Sequence, residues 1–211
     1  GSMNSRWGSG SGREVKLVTA KRVLTAFNNL LSPTEGDRAG LVTFPRLSYG
    51  EWYRTRCGSQ WHNTYYLADV RNALTDAVAT VNATINGLSA SGGTPLASAV
   101  QLGRQTVLPD GVVTEGRVPV LIVASDGIAN CTVDGRWTGF NGETTNAPSC
   151  NASAEQDAIE QAMIAKQDGI IVFTIAVGDD FNSAVLEAMA TEDTDPTKPH
   201  FFQAGSETDL D

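Results

Sequence analysis

Histidine is nearly absent from this sequence, with 2 in 211 residues, and cysteine numbers only 3. So few imidazoles and thiols leave little material for a metal centre built on nitrogen or sulfur. His62 and His200 lie in unrelated segments with no Cys or Glu at a ligand spacing, and each reads as an ordinary surface or strand-end residue. No Ser, His and Asp grouping suggests a catalytic triad, so catalysis is not expected. Basic clusters are also lacking. With a net charge of −9, the summed field repels phosphate backbones and anionic head groups, which argues against nucleic acid as a partner. No apolar run approaches the roughly 20 residues that cross a bilayer, and no basic-then-apolar leader opens the chain. No membrane span is expected.

What is present is ordinary globular material. Hydrophobic residues make up 41% and charged residues 18%, and the length suits one α/β domain with a buried core, here taken as residues 1–211. Two polar stretches interrupt it. Residues 45–66 form an aromatic-rich insertion containing Trp52, Tyr53, Trp61, Tyr65 and Tyr66, suited to packing over a sheet edge or to a partner surface. Residues 127–151 form a Gly-, Thr- and Asn-rich loop bracketed by Cys131 and Cys150. A disulfide between these two is expected to staple that loop, contributing about 3 kcal/mol in the chain-entropy picture. Three free thiols are the alternative. Cys57 is then left for a cysteine elsewhere, and the bridge would place the chain in an oxidising, extracytoplasmic compartment.

Along the chain, Leu17, Ala20, Leu24, Phe27 and Leu31 fall at helical spacing within Val15–Leu31, and Ser32-Pro33 ends that helix. Arg38–Phe44 reads as a buried strand that Pro45 stops. Val70, Leu74, Val78, Val81 and Ile85 predict a helix over Val70–Leu88. Thr94-Pro95 opens another helix reaching about Val107, with proline in the first turn where its missing N–H does no harm. Val118–Ala124 and Ile170–Val177 are fully apolar strands, separated by a helix over Ser153–Gln167. A short helix over Asn182–Ala190 and an edge strand over His200–Gln203 complete the pattern. Helices alternating with apolar strands imply a doubly wound, mostly parallel sheet with helices on both faces. Sites in such sheets lie beyond the carboxyl ends of the strands, here the loops after Phe44, Ala124 and Val177.

The loop after Ala124 reads Ser125-Asp126-Gly127. Together, VLIVASDG, SGGTPL and IIVFTIAVG with its following short helix resemble the von Willebrand factor A domain, in the family's order and over nearly the whole chain. The two polar insertions are similar to those of the bacterial Tad-type pilus assembly proteins. In that family a metal-ion-dependent adhesion site (MIDAS) combines an Asp-x-Ser-x-Ser loop after the first strand, a later Thr and a later Asp. The resemblance assigns Thr94 and Asp126 to the second and third elements. Gly1-Ser2-Met3-Asn4 is similar to the end of the first element, which makes Ser2 its second serine; a cloning remnant is the alternative. The leading Asp, the first serine and the central strand before them are not in the sequence, so a fragment cut at both ends is expected.

The family's chemistry follows from hard oxygen donors. Hydroxyls and carboxylates suit Mg²⁺, with Mn²⁺ or Ca²⁺ as alternatives, and match zinc less well. Because Mg²⁺ keeps six ligands, a partly filled shell leaves a position that an acidic side chain of another protein can complete. The resemblance therefore implies a protein-binding module of adhesion or surface assembly, outside the cytoplasm, with metal affinity weakened by the missing Asp. An accessory subunit of an ATP-driven cytoplasmic enzyme such as a metal chelatase is the alternative, and a metal-free scaffold is a third. Ser91-Gly92-Gly93-Thr94 is glycine-rich but lacks the Gly-Lys-Ser/Thr ending of a phosphate loop.

Overall fold

The computed structural model describes residues 2–7, 14–55, 61–90, 92–109, 111, 113, 116–138, 150–178, 181–195, 197 and 199–204. A short ribbon of β1 (Arg6–Trp7) and β2 (Glu14–Val15) leads into α1 (Lys16–Asn28). That helix stops three residues before Leu31, and Pro33–Glu35 forms a separate 3-10 turn. β3 (Ala39–Arg54) and β4 (Trp61–Thr75) form a long antiparallel hairpin. There follow α2 (Val78–Asn86), α3 (Leu96–Val107), β5 (Val120–Ser125) and α4 (Ala152–Gln167). The chain continues through β6 (Ile171–Val177), α5 (Ser183–Met189) and β7 (Phe201–Ala204). β5, β6 and β7 pair in parallel, as fully apolar strands returned by helices must. The architecture is α/β and doubly wound.

Two expectations need correction. Val70–Thr75 is strand, and only Val78–Asn86 is helix. Val70 and Leu74 fit a helical period as well as a strand, and the long partner β3 decides, pairing Val42 with Val70 and Ala39 with Thr75. Pro45 does not end its strand either. β3 runs on through it, with a register irregularity between Thr43 and Arg46 that absorbs the proline's missing donor. The outer half of this hairpin therefore carries most of the segment expected to be an insertion. Its aromatic residues divide: Tyr53 is buried and packs on Tyr65 at 5.1 Å, while Trp52 and Trp61 stay 64% and 60% exposed.

The main core joins α3, α4 and α5 to β5 and β6. An alanine ridge on α4, Ala154, Ala158 and Ala162, lets it sit close against Leu96 and Val100 of α3 and Met189 of α5. α1 and α2 pack together elsewhere, with Val81 and Ile85 against Ala39 of β3. Thr174 is fully buried in β6 and satisfies its hydroxyl by donating to the Leu186 carbonyl at 2.8 Å. Among the described residues no helix is long and apolar enough to cross a membrane.

β3 and β5 do not pair, and no described strand lies between them. Instead a cavity of about 980 Å³ separates the two sheets. Leu41 and Phe44 line one side, Val120 and Ile122 the other, and Leu24 of α1 and Gly103 of α3 also border it.

The expected Cys131–Cys150 bridge is absent. Cys131 is a free, buried thiol, and Cys150 is disulfide-bonded but not to it; Cys57 lies outside the described residues. The described part of the loop is held by backbone and side-chain hydrogen bonds. Tyr66 N–H donates to the Gly135 carbonyl at 2.8 Å, Trp137 N–H donates to the Tyr53 hydroxyl at 3.0 Å, and Thr138 donates to the Asn130 carbonyl at 3.0 Å. Burial pushes the Cys131 thiol up to about 12, opposed by a hydrogen bond from the Thr94 backbone. Native protein treated with iodoacetamide near pH 8 is expected to remain unlabelled at Cys131. After unfolding without reductant, peptide mass spectrometry should find Cys131 labelled and Cys150 not; label on native Cys131 would contradict the burial.

Candidate metal centre

Asp126 follows directly on β5, at the carboxyl end of the sheet, and is only 4% exposed. Burying a carboxylate this thoroughly is costly unless a cation or hydrogen bonds face it. The cation is Lys16, the first residue of α1, itself 3% exposed. Its Nζ lies 3.7 Å from Asp126 Oδ2, an ion pair held away from water. Gly178, just past β6, makes room for the lysine. A Cβ there would come within 2.3 Å of Lys16 Cε, and the φ of +91° at this residue also disfavours any side chain. The lysine therefore lies across the ends of two neighbouring strands.

Thr94 is half-buried and borders the same cavity as Asp126. Asn130 holds it there. Thr94 N–H donates to Asn130 Oδ1 at 2.7 Å, while Asn130 N–H donates to the Thr94 carbonyl at 3.2 Å. This clamp ties the loop before α3 to the loop after β5. Gly93 allows the close approach, since a Cβ at that position would sit 3.1 Å from Asn130 Oδ1 and 3.2 Å from Cys131 Sγ. Ser125 is buried beside the aspartate, where its hydroxyl meets the Gly127 N–H at 3.3 Å and shapes the turn.

The turn Ser2–Asn4 reaches the segment before α3. Asn4 Nδ2 donates to the Ala90 carbonyl at 3.2 Å, and Met3 borders the cavity shared by Thr94 and Asp126. The side chain of Ser2 itself lies outside the described residues. Of the three residues expected to ligate a metal, Thr94 and Asp126 border one large cavity, and their loops are tied through Asn130. His62 and His200 stand elsewhere. His62 packs edge-on against Trp137 at 5.2 Å, and His200 Nδ1 pairs with Asp193 at 2.7 Å.

The Thr94 and Asp126 side chains are both oxygen donors of a kind that a divalent ion takes. One buried carboxylate and a neighbouring threonine offer oxygen, and a cationic group already lies against that carboxylate. Among the described residues no three His, Cys, Asp or Glu side chains cluster. Sequence reasoning missed Lys16, Asn130 and Ser125. Lys16 left a trace: it stands four residues before Ala20, on the buried stripe of α1, where a charged residue needs a partner.

The von Willebrand factor type A domain family model matches residues 8–211. No curated protein sequence matches the chain significantly. Among solved structures, proximal thread matrix protein 1 from the mussel byssus, with a zinc-occupied MIDAS motif, is similar at 13% identity and a TM-score of 0.59, covering 92% of this chain and 40% of that one. The pilus adhesin SpaC from Lactobacillus rhamnosus GG is similar at 14% identity and a TM-score of 0.58, over 92% of this chain and 26% of that one. The domain of the type V pili tip protein Mfa5 from Porphyromonas gingivalis reaches 15% identity and 0.56, over 92% and 83%. The chain thus spans under half the length of the mussel protein and of SpaC. At such identities the likeness speaks to the fold, and the zinc in the mussel protein belongs to that protein. Its fold and the match over residues 8–211 lead to one conclusion: this chain belongs to the von Willebrand factor type A domain family.

Proposed function

We propose that this domain is a non-enzymatic protein-binding module of adhesion or pilus assembly, working outside the cytoplasm. In this reading Thr94 and Asp126, joined by Ser2, hold a divalent cation of the Mg²⁺ type. A hard ion there supplies a coordination position that a partner's Asp or Glu completes. The protein's own part is to present oxygen at a fixed spacing, keep the floor of the site dry and hold the two loops together through Asn130. The observation that carries the reading is the buried Asp126 carboxylate sharing one rim with Thr94. Disulfide-bonded Cys150 supports an oxidising compartment, and the pilus proteins similar in fold support adhesion.

Calorimetric titration with Mg²⁺ tests it. Saturable heat is expected for the wild type and none for Thr94→Ala or Asp126→Asn. Equal curves for all three would leave a metal-free scaffold, the second reading, which the Lys16–Asp126 pair favours because an ammonium already neutralises the carboxylate.

A further inference from the structure

We infer that Lys16 is a built-in, displaceable cation that competes with the divalent ion for Asp126, so that metal entry must drive the α1 lysine out of the rim. The inference rests on the metal-binding reading above and adds a regulator to it. Three observations carry it. The ammonium is 3.7 Å from Asp126 Oδ2, inside the space a cation bound by that carboxylate would contest. Lys16 and Asp126 are 3% and 4% exposed, so solvent screens their attraction little and the two cations would repel strongly if both stayed. The path of the side chain is shaped for it, since Gly178 is the residue that leaves room for Lys16 Cε.

Lys16 also starts its helix. Its backbone N–H donates to the Ser5 carbonyl at 3.1 Å, just beyond the Ser2–Asn4 turn that reaches the Thr94 loop through Asn4. Withdrawal of the side chain therefore acts at the junction between α1 and the turn carrying Ser2. Occupancy of the site by metal or by lysine becomes two alternative states of one rim.

The probe is Mn²⁺ alone, titrated into the whole chain and followed by its electron paramagnetic resonance signal. Lys16→Met, which keeps length and apolar bulk but removes the charge, is expected to bind Mn²⁺ on the order of tenfold more tightly than wild type. It should also gain more thermal stability from the metal than wild type does, as linkage requires. Asp126→Asn should bind in neither background. If Lys16→Met does not fold, the wild type decides by acetylation footprinting: Lys16 is expected to be protected from acetic anhydride without metal and to be modified at saturating Mn²⁺. Binding by the wild type that Asp126→Asn abolishes, with Lys16→Met no tighter or Lys16 still protected, overturns the displacement and leaves the metal site standing. No Mn²⁺ binding by the wild type or by Lys16→Met overturns both.

Discussion

Asp126→Ala is expected to lower the unfolding free energy by about 3–5 kcal/mol in metal-free buffer, the usual consequence of leaving one half of a buried ion pair. The loss comes from breaking the ion pair between Lys16 and Asp126, which are 3% and 4% exposed. It should appear as a shift of the denaturant midpoint at unchanged slope. The double variant Lys16→Met/Asp126→Leu removes both charges and is expected to recover most of that loss, because apolar side chains of similar size carry no desolvation penalty. A small effect in Asp126→Ala, below about 1 kcal/mol, would mean the lysine reaches water easily and the pair is not a fixed part of the rim.

The second large effect concerns the space between the two sheets. Joining six or seven apolar, β-branched residues and a short turn ahead of Gly1 is expected to raise Tm by roughly 10 °C, at about 2–4 °C per kcal/mol for a chain of this size. The cavity of about 980 Å³ is bordered by Leu41, Phe44, Val120 and Ile122, so such a strand would bury both of its faces and hydrogen-bond to two edges that do not pair with each other. Hydrogen exchange localises the gain: amides of Leu41–Phe44 and Val120–Ser125 should slow together. A matched extension carrying two lysines at the centre should stabilise little. Equal effects from both extensions would show that the added residues do not enter the cavity.

Much of this architecture was readable in the residues before the structure, and the boundary of what was readable is physical. VPVLIVA and IIVFTIAV mark the parallel strands β5 and β6, and Thr94-Pro95 marks the start of α3 to within a residue. Those segments place Thr94 and Asp126 unaided. Val70 and Leu74 were misread because a spacing of four suits both periodicities, and only the distant pairing of β3 with β4 resolves it. Cysteine connectivity was misread for a related reason: loop composition says that a loop needs holding, and hydrogen bonds from Tyr66, Trp137 and Thr138 already hold it. Lys16 was passed over because a lysine at a helix start normally points into solvent. Its burial depends on Asp126, 110 positions further along, and on the bare backbone at Gly178.

Asn130 has a mechanical meaning beyond its two hydrogen bonds. One side of the residue grips Thr94, while its carbonyl receives the amide and hydroxyl of Thr138, whose neighbour Trp137 leans on Tyr53 of the hairpin. A run of short hydrogen bonds thus joins the Thr94 loop to the arm that displays Trp52 and Trp61 to the surroundings.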